Sequence, residues 1–376
     1  HINIIKSTIP LLESAGPALT QHFYQRMFTH NPELKDIFNM THQRTGRQGV
    51  ALFEAIAAYA KNIENLAALT SAVERIAQKH TSFNIQPEHY QIVGLHLIET
   101  LRELAADAFT PEVEEAWTAA YLFLAQVFID REAELYLQRK QAVGGWEAAR
   151  AFVIADKIEE SALVTSFILQ PKDGGDVLDY TPGQYIGIEV KPEGAQYSEI
   201  RQYSLSDKPN GKQYRISVKR EGQGQETQGV VSNHMHDTVA IGDEVSLYAP
   251  AGDFMYQERS KPVTLISAGV GVTPMQSMLE FLNNEQKNEP VLYLHACENV
   301  GQHSFTTRVK DIVADKGWAA KTWYMNKDES ACENTHEGQM DLASISDTDG
   351  FEESDFYICG PVGFMKNIVE QLDALK

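Results

Sequence analysis

The feature that most constrains this chain is a double change of periodicity along one continuous sequence. Up to about residue 140 the residues are rich in Ala, Leu and Glu with few β-branched runs. Their apolar positions repeat with the 3.6-residue period of amphipathic helices. TPEVEEAWTAAYLFLAQVFIDREAELYLQRK predicts one helix of about seven turns with Pro111 in its first turn. AVGGWEAAR then interrupts the pattern, and Gly144–Gly145 reads as a hinge. From Phe152 the period falls to two. FVIADKIEE, LVTSFILQP, QYIGIEVKP, YRISVKRE and DEVSLYAPAGDF predict the short strands of a small antiparallel barrel. From Pro262 the pattern changes again: PVTLISAGVGVTP is an apolar strand, a Gly-rich turn and a helix start. PVLYLHACEN, AKTWYMN and DFYICGPVGFM follow at intervals that leave room for helices, as in a doubly wound α/β domain.

A chain of 376 residues is too long for one core. The expected organisation is multidomain: all-α over residues 1–143, an antiparallel β-barrel over 147–258 and a doubly wound α/β domain over 259–376. The net charge of −20 argues against nucleic acid or an anionic membrane surface as partner. Cys297, Cys332 and Cys359 are odd in number and far apart, which makes neither a disulfide framework nor a CxxC metal site. No apolar run approaches the roughly 20 residues of a bilayer span, and no signal-peptide pattern opens the chain. The expectation is a cytoplasmic monomer that acts on small molecules.

Within the helical segment, Val73, Ile76 and Ala77 define an apolar face whose next position is His80. Taken alone, such an imidazole suits a hydrogen-bonded core histidine better than a ligand. Other residues bear on the choice. Gln48 ends an apolar stripe with Leu52, Ile56 and Tyr59. Tyr24 sits beside Phe23, Met27 and Phe28 on an inward face, where its hydroxyl needs a partner. Pro32 opens a turn with Phe38 six residues later. Tyr90 starts a helix after Pro87 on a face with Gly94 and Leu97, and Glu132 lies one turn beyond Phe128. Jointly these residues resemble the globin fold. The resemblance implies His80 as the axial ligand of a haem b iron, with Phe38 as a haem contact and Tyr24 and Gln48 across the haem as donors to bound dioxygen. It also implies that Tyr90 and Glu132 hydrogen-bond toward His80, making that ligand more electron-donating. Lys79 matches the family at the haem as well.

In the barrel segment, PGQY (Pro182 to Tyr185) and RQYSLS (Arg201 to Ser206) resemble the flavin site of ferredoxin-reductase-like barrels. That likeness implies Arg201 on the FAD pyrophosphate as a bidentate fork. Tyr185 and Tyr203 would pack on the flavin or its ribityl chain, Gln202 would contact the cofactor, and Ser204 would lie near the flavin N5. GVVSNHM resembles the same family's phosphate turn, with Gly229, Val230, Val231 and Ser232 opening a helix toward the diphosphate and Asn233 following.

In the third segment, AGVGVTP follows a buried strand and starts a helix without a full GxGxxG. It resembles the reductase variant of the nucleotide loop, in which Gly269, Val270, Gly271, Val272, Thr273 and Pro274 face NADH or NADPH. CGPVGFM resembles the second loop of that family and places Cys359, Gly360 and Pro361 near the nicotinamide. Glu298 in HACENVG stands where an acid suits a ribose hydroxyl, which favours NADH.

The order globin, FAD barrel, NAD(P) domain resembles the bacterial flavohaemoglobins over nearly the whole chain. That family's activity is nitric oxide dioxygenase: NAD(P)H reduces FAD, FAD reduces haem, and haem-bound O₂ oxidises nitric oxide to nitrate. Two alternatives stay open, a haem/flavin reductase acting on peroxides or other acceptors, and an O₂ or NO sensor or store. The chain stops at VEQLDALK in a predicted helix, where the family continues with a strand and an aromatic tail. The C-terminal edge is therefore expected to be missing.

Overall fold

The computed structural model describes residues 1–39, 47–225, 228–331 and 333–376, with backbone alone described for residues 47–53. By its internal contacts the chain divides into two compact units. One comprises His1–Arg150, Gly187–Arg201 and Ser246–Asp253; the other comprises Ala151–Ile186, Gln202–Val245 and Phe254–Lys376.

The first unit contains helices α1 (Ile2–His30), α2 (Arg47–Lys61), α3 (Thr70–Thr81), α4 (Pro87–Leu104) and α5 (Pro111–Gln141). The apolar faces of α1, α2, α4 and α5 meet in a core that includes Phe23, Met27, Leu97, Leu101 and Trp117, and α3 packs through Ala77 against Phe128 and Leu135 of α5. The long helix starts as its sequence requires: Thr110 accepts from the Val113 amide and Pro111 takes the first position, where its missing N–H costs nothing. Its end differs from an open hinge. The Gly145 amide bonds back to the Ala142 carbonyl, and a Cβ on Gly145 would lie 1.7 Å from the Arg139 carbonyl oxygen. Gly144–Gly145 is therefore a turn folded tightly against the helix end.

The strands β1 (Arg150–Glu159), β2 (Val164–Pro171), β3 (Tyr185–Val190), β4 (Glu199–Ser204), β5 (Tyr214–Lys219) and β6 (Glu244–Ala251) form a sheet of order β4-β3-β6-β1-β2-β5. β1 pairs antiparallel with β2, with an irregularity between Ile154 and Asp156, and β2 pairs antiparallel with β5. A bridge between Leu205, just past β4, and Ile216 of β5 joins the two outer strands of that order, closing the sheet as a barrel does.

The second sheet is parallel, with order β10-β9-β8-β7-β11. It uses β7 (Val263–Ala268), β8 (Val291–Cys297), β9 (Ala319–Tyr324), β10 (Thr335–Glu337) and β11 (Asp355–Cys359). Helices α7 (Val272–Asn284) and α8 (Thr306–Lys316) cross between its strands, and α9 (Val362–Ala374) follows β11. The short α6 (Val230–Asp237) belongs to the barrel segment. β7 is buried at every position, as a central parallel strand covered on both faces must be. β8 lies on one side of β7 and β11 on the other, so the order reverses at β7. The crevice at the carboxyl ends of such strands is where this architecture binds ligands. Among the described residues no helix is long and apolar enough to cross a membrane.

Candidate functional site

The helical site is built on α3, α4 and α5. Ala77 is fully buried, and Val73, Ile76, Tyr90 and Leu124 pack around Ala77, Phe128 and Leu135. That packing turns His80, three residues beyond Ala77, toward the bundle. At the start of α4, Gln86 and His89 cap each other reciprocally and Pro87 takes the first position. This anchors the turn that carries Tyr90. Glu132 follows Phe128 by one helical turn on α5 and is only 2% exposed.

These three side chains converge. The Tyr90 hydroxyl donates to Glu132 Oε1 at 2.7 Å, and His80 Nδ1 lies 2.8 Å from both Glu132 Oε1 and the Tyr90 oxygen. An ionised carboxylate only accepts, so the proton sits on Nδ1 and is shared between the two oxygens. The lone pair of the neutral imidazole is then on Nε2, which has no hydrogen-bond partner among the described residues. The His80 side chain is 32% exposed although its surroundings are apolar. A tautomer fixed by a buried carboxylate, with the other nitrogen bare, is the donor arrangement of an axial iron ligand. Among the described residues no cluster of three or more His, Cys, Asp or Glu could hold a metal by itself. A group that needs one protein nitrogen, as haem does, fits this site. Burial and the adjacent Glu132 push the Tyr90 hydroxyl far up, so it stays a hydrogen-bond donor.

Tyr24 is 6% exposed and lies in an aromatic cluster, 5.0 Å from Phe23, 5.8 Å from Phe28 and 5.7 Å from Phe38 between ring centroids. Phe38 closes the turn opened by Pro32, its amide bonding to the Leu34 carbonyl. Gln48 lies on α2, and its side chain is outside the described residues. Lys79 is exposed beside His80 and makes no ion pair among the described residues.

On β4, Arg201 is half-buried and already committed in part: its Nη1 donates to Glu199 Oε2 and to the Ile200 carbonyl, each at 2.9 Å. Nε and Nη2 have no protein acceptor among the described residues and are left to meet an anion. Gln202, Tyr203 and Ser204 follow, partly exposed, as does Tyr185 on β3. Before Tyr185, Gly183 has φ +108° and would place a Cβ 2.3 Å from the Phe254 carbonyl oxygen. Only glycine allows that approach. The Gly229 turn differs in detail from the sequence expectation. Ser232 donates to the Gly229 carbonyl and accepts from the Glu221 amide, and Asn233 donates to the Gly229 and Glu221 carbonyls. Their side chains brace the loop, so the first-turn amides at Val230 and Val231 are what an anion would meet.

At the parallel sheet, the two expected nucleotide loops touch. A Cβ on Gly271 would lie 2.3 Å from the Cys359 carbonyl oxygen and 2.8 Å from the Gly360 amide. Gly269 has φ +55° and leads into Val270, Gly271 and Val272. Thr273 turns back to the Val270 carbonyl, and Pro274 is buried in the first turn of α7. Cys359 ends β11, where burial pushes its thiol up, and Pro361 caps α9. Glu298 is exposed just past β8, held by Asn326.

A second network lies on α3. Gln78 is 6% exposed, its Nε2 donates to Glu74 at 2.9 Å, and its Oε1 accepts from Arg139 Nη2 at 2.7 Å. Glu74 in turn receives Arg131 through two bonds, and that pairing holds its carboxyl below the usual range. A single glutamine beside an apolar stripe carries no signal of this in the sequence; the inward face of the helix is wider than its apolar stripe only in the packed structure.

Family comparisons follow the same order along the chain. Residues 21–128 match the globin model, 151–256 the oxidoreductase FAD-binding domain model and 265–370 the oxidoreductase NAD-binding domain model. A flavohemoprotein from Vibrio cholerae serotype O1 is 67% identical over 375 residues, covering all of this chain and 94% of that protein. The fold is similar to that of a flavohemoglobin from Malassezia yamatoensis solved with bound FAD and heme (TM-score 0.85, 24% identity, 99% of this chain and 94% of that one). It is also similar to the FAD/NAD-binding domain of a nitric oxide dioxygenase from Vibrio cholerae O1 biovar El Tor (TM-score 0.57, 54% identity, 60% of this chain and 93% of that one). With a buried carboxylate behind a single bare imidazole nitrogen, paired glycine loops at a parallel sheet, and two thirds of its positions shared with a relative along its entire length, the chain belongs to the flavohemoprotein family.

Proposed function

We propose that the chain is an NAD(P)H-dependent nitric oxide dioxygenase. The observation that carries this is the His80–Tyr90–Glu132 arrangement, because a carboxylate behind the ligand favours oxygen activation over simple carriage. Bound here, haem would supply the iron at which dioxygen and nitric oxide combine, FAD would turn a hydride pair into single electrons, and NAD(P)H would supply the hydride. His80 would hold the iron through Nε2, and Glu132, by holding the Nδ1 proton, fixes the orientation of the imidazole. The Tyr24 hydroxyl, with Gln48, would donate to bound dioxygen, and the Phe23–Phe28–Phe38 cage keeps water from Tyr24. Phe38 and Lys79 would contact the haem.

Arg201, with the Val230 and Val231 amides of the turn that Gly229 opens and Ser232 braces, would hold the FAD diphosphate. Tyr185, Gln202, Tyr203 and Ser204 orient its rings. The loops Gly269–Pro274 and Cys359–Pro361 hold the nicotinamide nucleotide at the reversal of strand order. Exposed Glu298 would repel a 2′-phosphate, so NADH is the expected donor. The proposed domains are residues 1–143, 147–258 and 259–376, supported by the family matches within each. The reading suits a cytoplasmic enzyme without a nucleic-acid partner, consistent with the net charge of −20.

Electron balance provides the test. Nitric oxide plus dioxygen needs one electron to become nitrate, and each NADH carries two. Under limiting NADH the protein should form two nitrates per NADH consumed. NADH oxidation without nitrate, accompanied by peroxide turnover, would favour the reductase alternative; no NADH oxidation at all would favour a sensor or store.

A further inference from the structure

The helix that carries His80 is tied to the strands in its own compact unit at two points. The Gly252 amide, just past β6, donates to Gln78 Oε1 at 3.1 Å. On β3, a Cβ on Gly187 would lie 2.3 Å from the Ser82 carbonyl oxygen, two residues past His80. A missing side chain thus lets a strand backbone press against the end of the helix. Gln78 is the hub of the first tie. Its single oxygen takes both Arg139 of α5 and the Gly252 amide, while its nitrogen reaches back one turn to Glu74. Every polar atom of this buried side chain is used, which makes its geometry rigid. Arg139 also donates to Thr81, and Arg75 pairs with Asp253 at 3.3 Å on the exposed rim. β3 and β6 are neighbours in the barrel sheet, and β4, which carries Arg201, flanks β3.

We propose that Gln78, seated against Gly252, and Gly187, seated against Ser82, act as positioning residues that lock the His80 helix to the flavin-bearing sheet and thereby set the rate at which an electron passes from flavin to haem. This rests on the haem-and-flavin reading above. In the step concerned, the reduced flavin loses one electron and ferric iron gains it; the electrons come from NADH. Neither residue touches a reacting atom. Their effect is geometric, and small misplacements remote from the reacting centres change rates by orders of magnitude.

The test uses the full-length holoprotein without oxygen or nitric oxide. Gln78→Met keeps the bulk and removes the oxygen acceptor. Gly187→Ala leaves Gln78 intact and forces the strand from the helix end. Stopped-flow absorbance resolves flavin reduction by NADH from haem reduction by flavin, and hydrogen exchange reports the peptide containing Gly252. Both variants should keep parental haem and FAD content and parental flavin reduction, with haem reduction slowed by roughly tenfold or more. In Gln78→Met the Gly252 amide should exchange roughly three- to tenfold faster. A parental haem-reduction rate in a variant that retains haem overturns the proposal, as does equal slowing of both steps. If Gln78→Met fails to fold with haem, Gly187→Ala decides by the same two rates; loss of haem in both variants shows a structural role only and also overturns it. A parent protein whose reduced flavin never reduces its haem overturns the functional reading itself. A competent parent with equally competent variants overturns only the positioning role.

Discussion

Glu132→Gln keeps the shape of the side chain behind His80 and removes its charge. In the parent, one carboxylate oxygen accepts from Tyr90 at 2.7 Å and faces His80 Nδ1 at 2.8 Å, in a site where Glu132 is 2% exposed. Hydrogen bonds to charged groups contribute about 1.5–3 kcal/mol and neutral ones about 0.5–1.5 kcal/mol, so neutralising Glu132 weakens the His80 bond by about 1–1.5 kcal/mol. The lost attraction is greatest when the imidazole carries most positive charge, which is when it ligates ferric rather than ferrous iron. The ferric state is therefore destabilised, and the haem potential should rise. Only the part of that loss that differs between the two iron states moves the potential, so at about 59 mV per tenfold for a one-electron couple, about 1–1.5 kcal/mol sets an upper limit of roughly 40–65 mV. Anaerobic spectroelectrochemical titration of parent and variant measures the shift directly. The flavin potential serves as an internal control and should not move. An unchanged or lowered haem potential would refute the view that Glu132 acts as an anion on the imidazole. Glu132→Leu gives the companion result: the Tyr90 hydroxyl loses its acceptor while His80 Nδ1 keeps the Tyr90 oxygen, so stability should fall by about 1–3 kcal/mol, measured by urea unfolding.

Tyr24→Phe leaves the ring in its aromatic cage and removes the hydroxyl, so O₂ dissociation from the ferrous protein should speed up by roughly 10- to 100-fold, as flash photolysis or stopped flow would read. Burial holds His303 down to about 4 and His295 well below its ordinary value, so both are neutral in the fold, whereas the unfolded chain takes up their protons below about pH 6.5. Their contribution is intact above pH 6.5 and is lost as pH falls toward 4, by about 2–3 kcal/mol for His303. Urea midpoints measured across that window should fall less steeply in His303→Gln. Residues 146–376 alone should bind FAD and oxidise NADH with an artificial acceptor, but melt at a lower temperature than the same segment in the full chain, because the Gln78–Gly252 bond and the Gly187–Ser82 contact are gone; an insoluble or flavin-free fragment would count against an independent reductase segment.

Much of the architecture was legible without coordinates, because periodicity is a local property. The change from 3.6 to two at Phe152, and the strand–glycine–helix pattern after Pro262, depend only on neighbours along the chain, and the helices and longer strands lie where those patterns put them. The inward turn of His80 was legible for the same reason: its place on the Ala77 face is fixed by helical geometry alone. β10 was not legible. Three residues, Thr335–Glu337, have no period to read and form a strand only because β9 offers a free edge.

The site divides along the same line. Residue types at fixed spacings, such as RQYSLS, AGVGVTP and the histidine after Ala77, could be read as candidates from sequence. What each side chain does with its atoms was decided by partners far away in the chain. His80 and Glu132 are 52 residues apart, and only the packing of α3 against α5 sets the shared oxygen that leaves Nε2 bare. Not every partner is distant: Arg201 gives one arm to Glu199, two residues back on β4, and the Ser232 hydroxyl braces Gly229 and Glu221, three and eleven residues away. Gln78 shows the limit most clearly. As one polar letter on a helix it says nothing, and its meaning comes from a backbone amide 174 residues away. Period and motif are written in local steric preference, whereas hydrogen-bond partnership depends on which distant groups the finished core brings within 3 Å or so, and no local pattern encodes that.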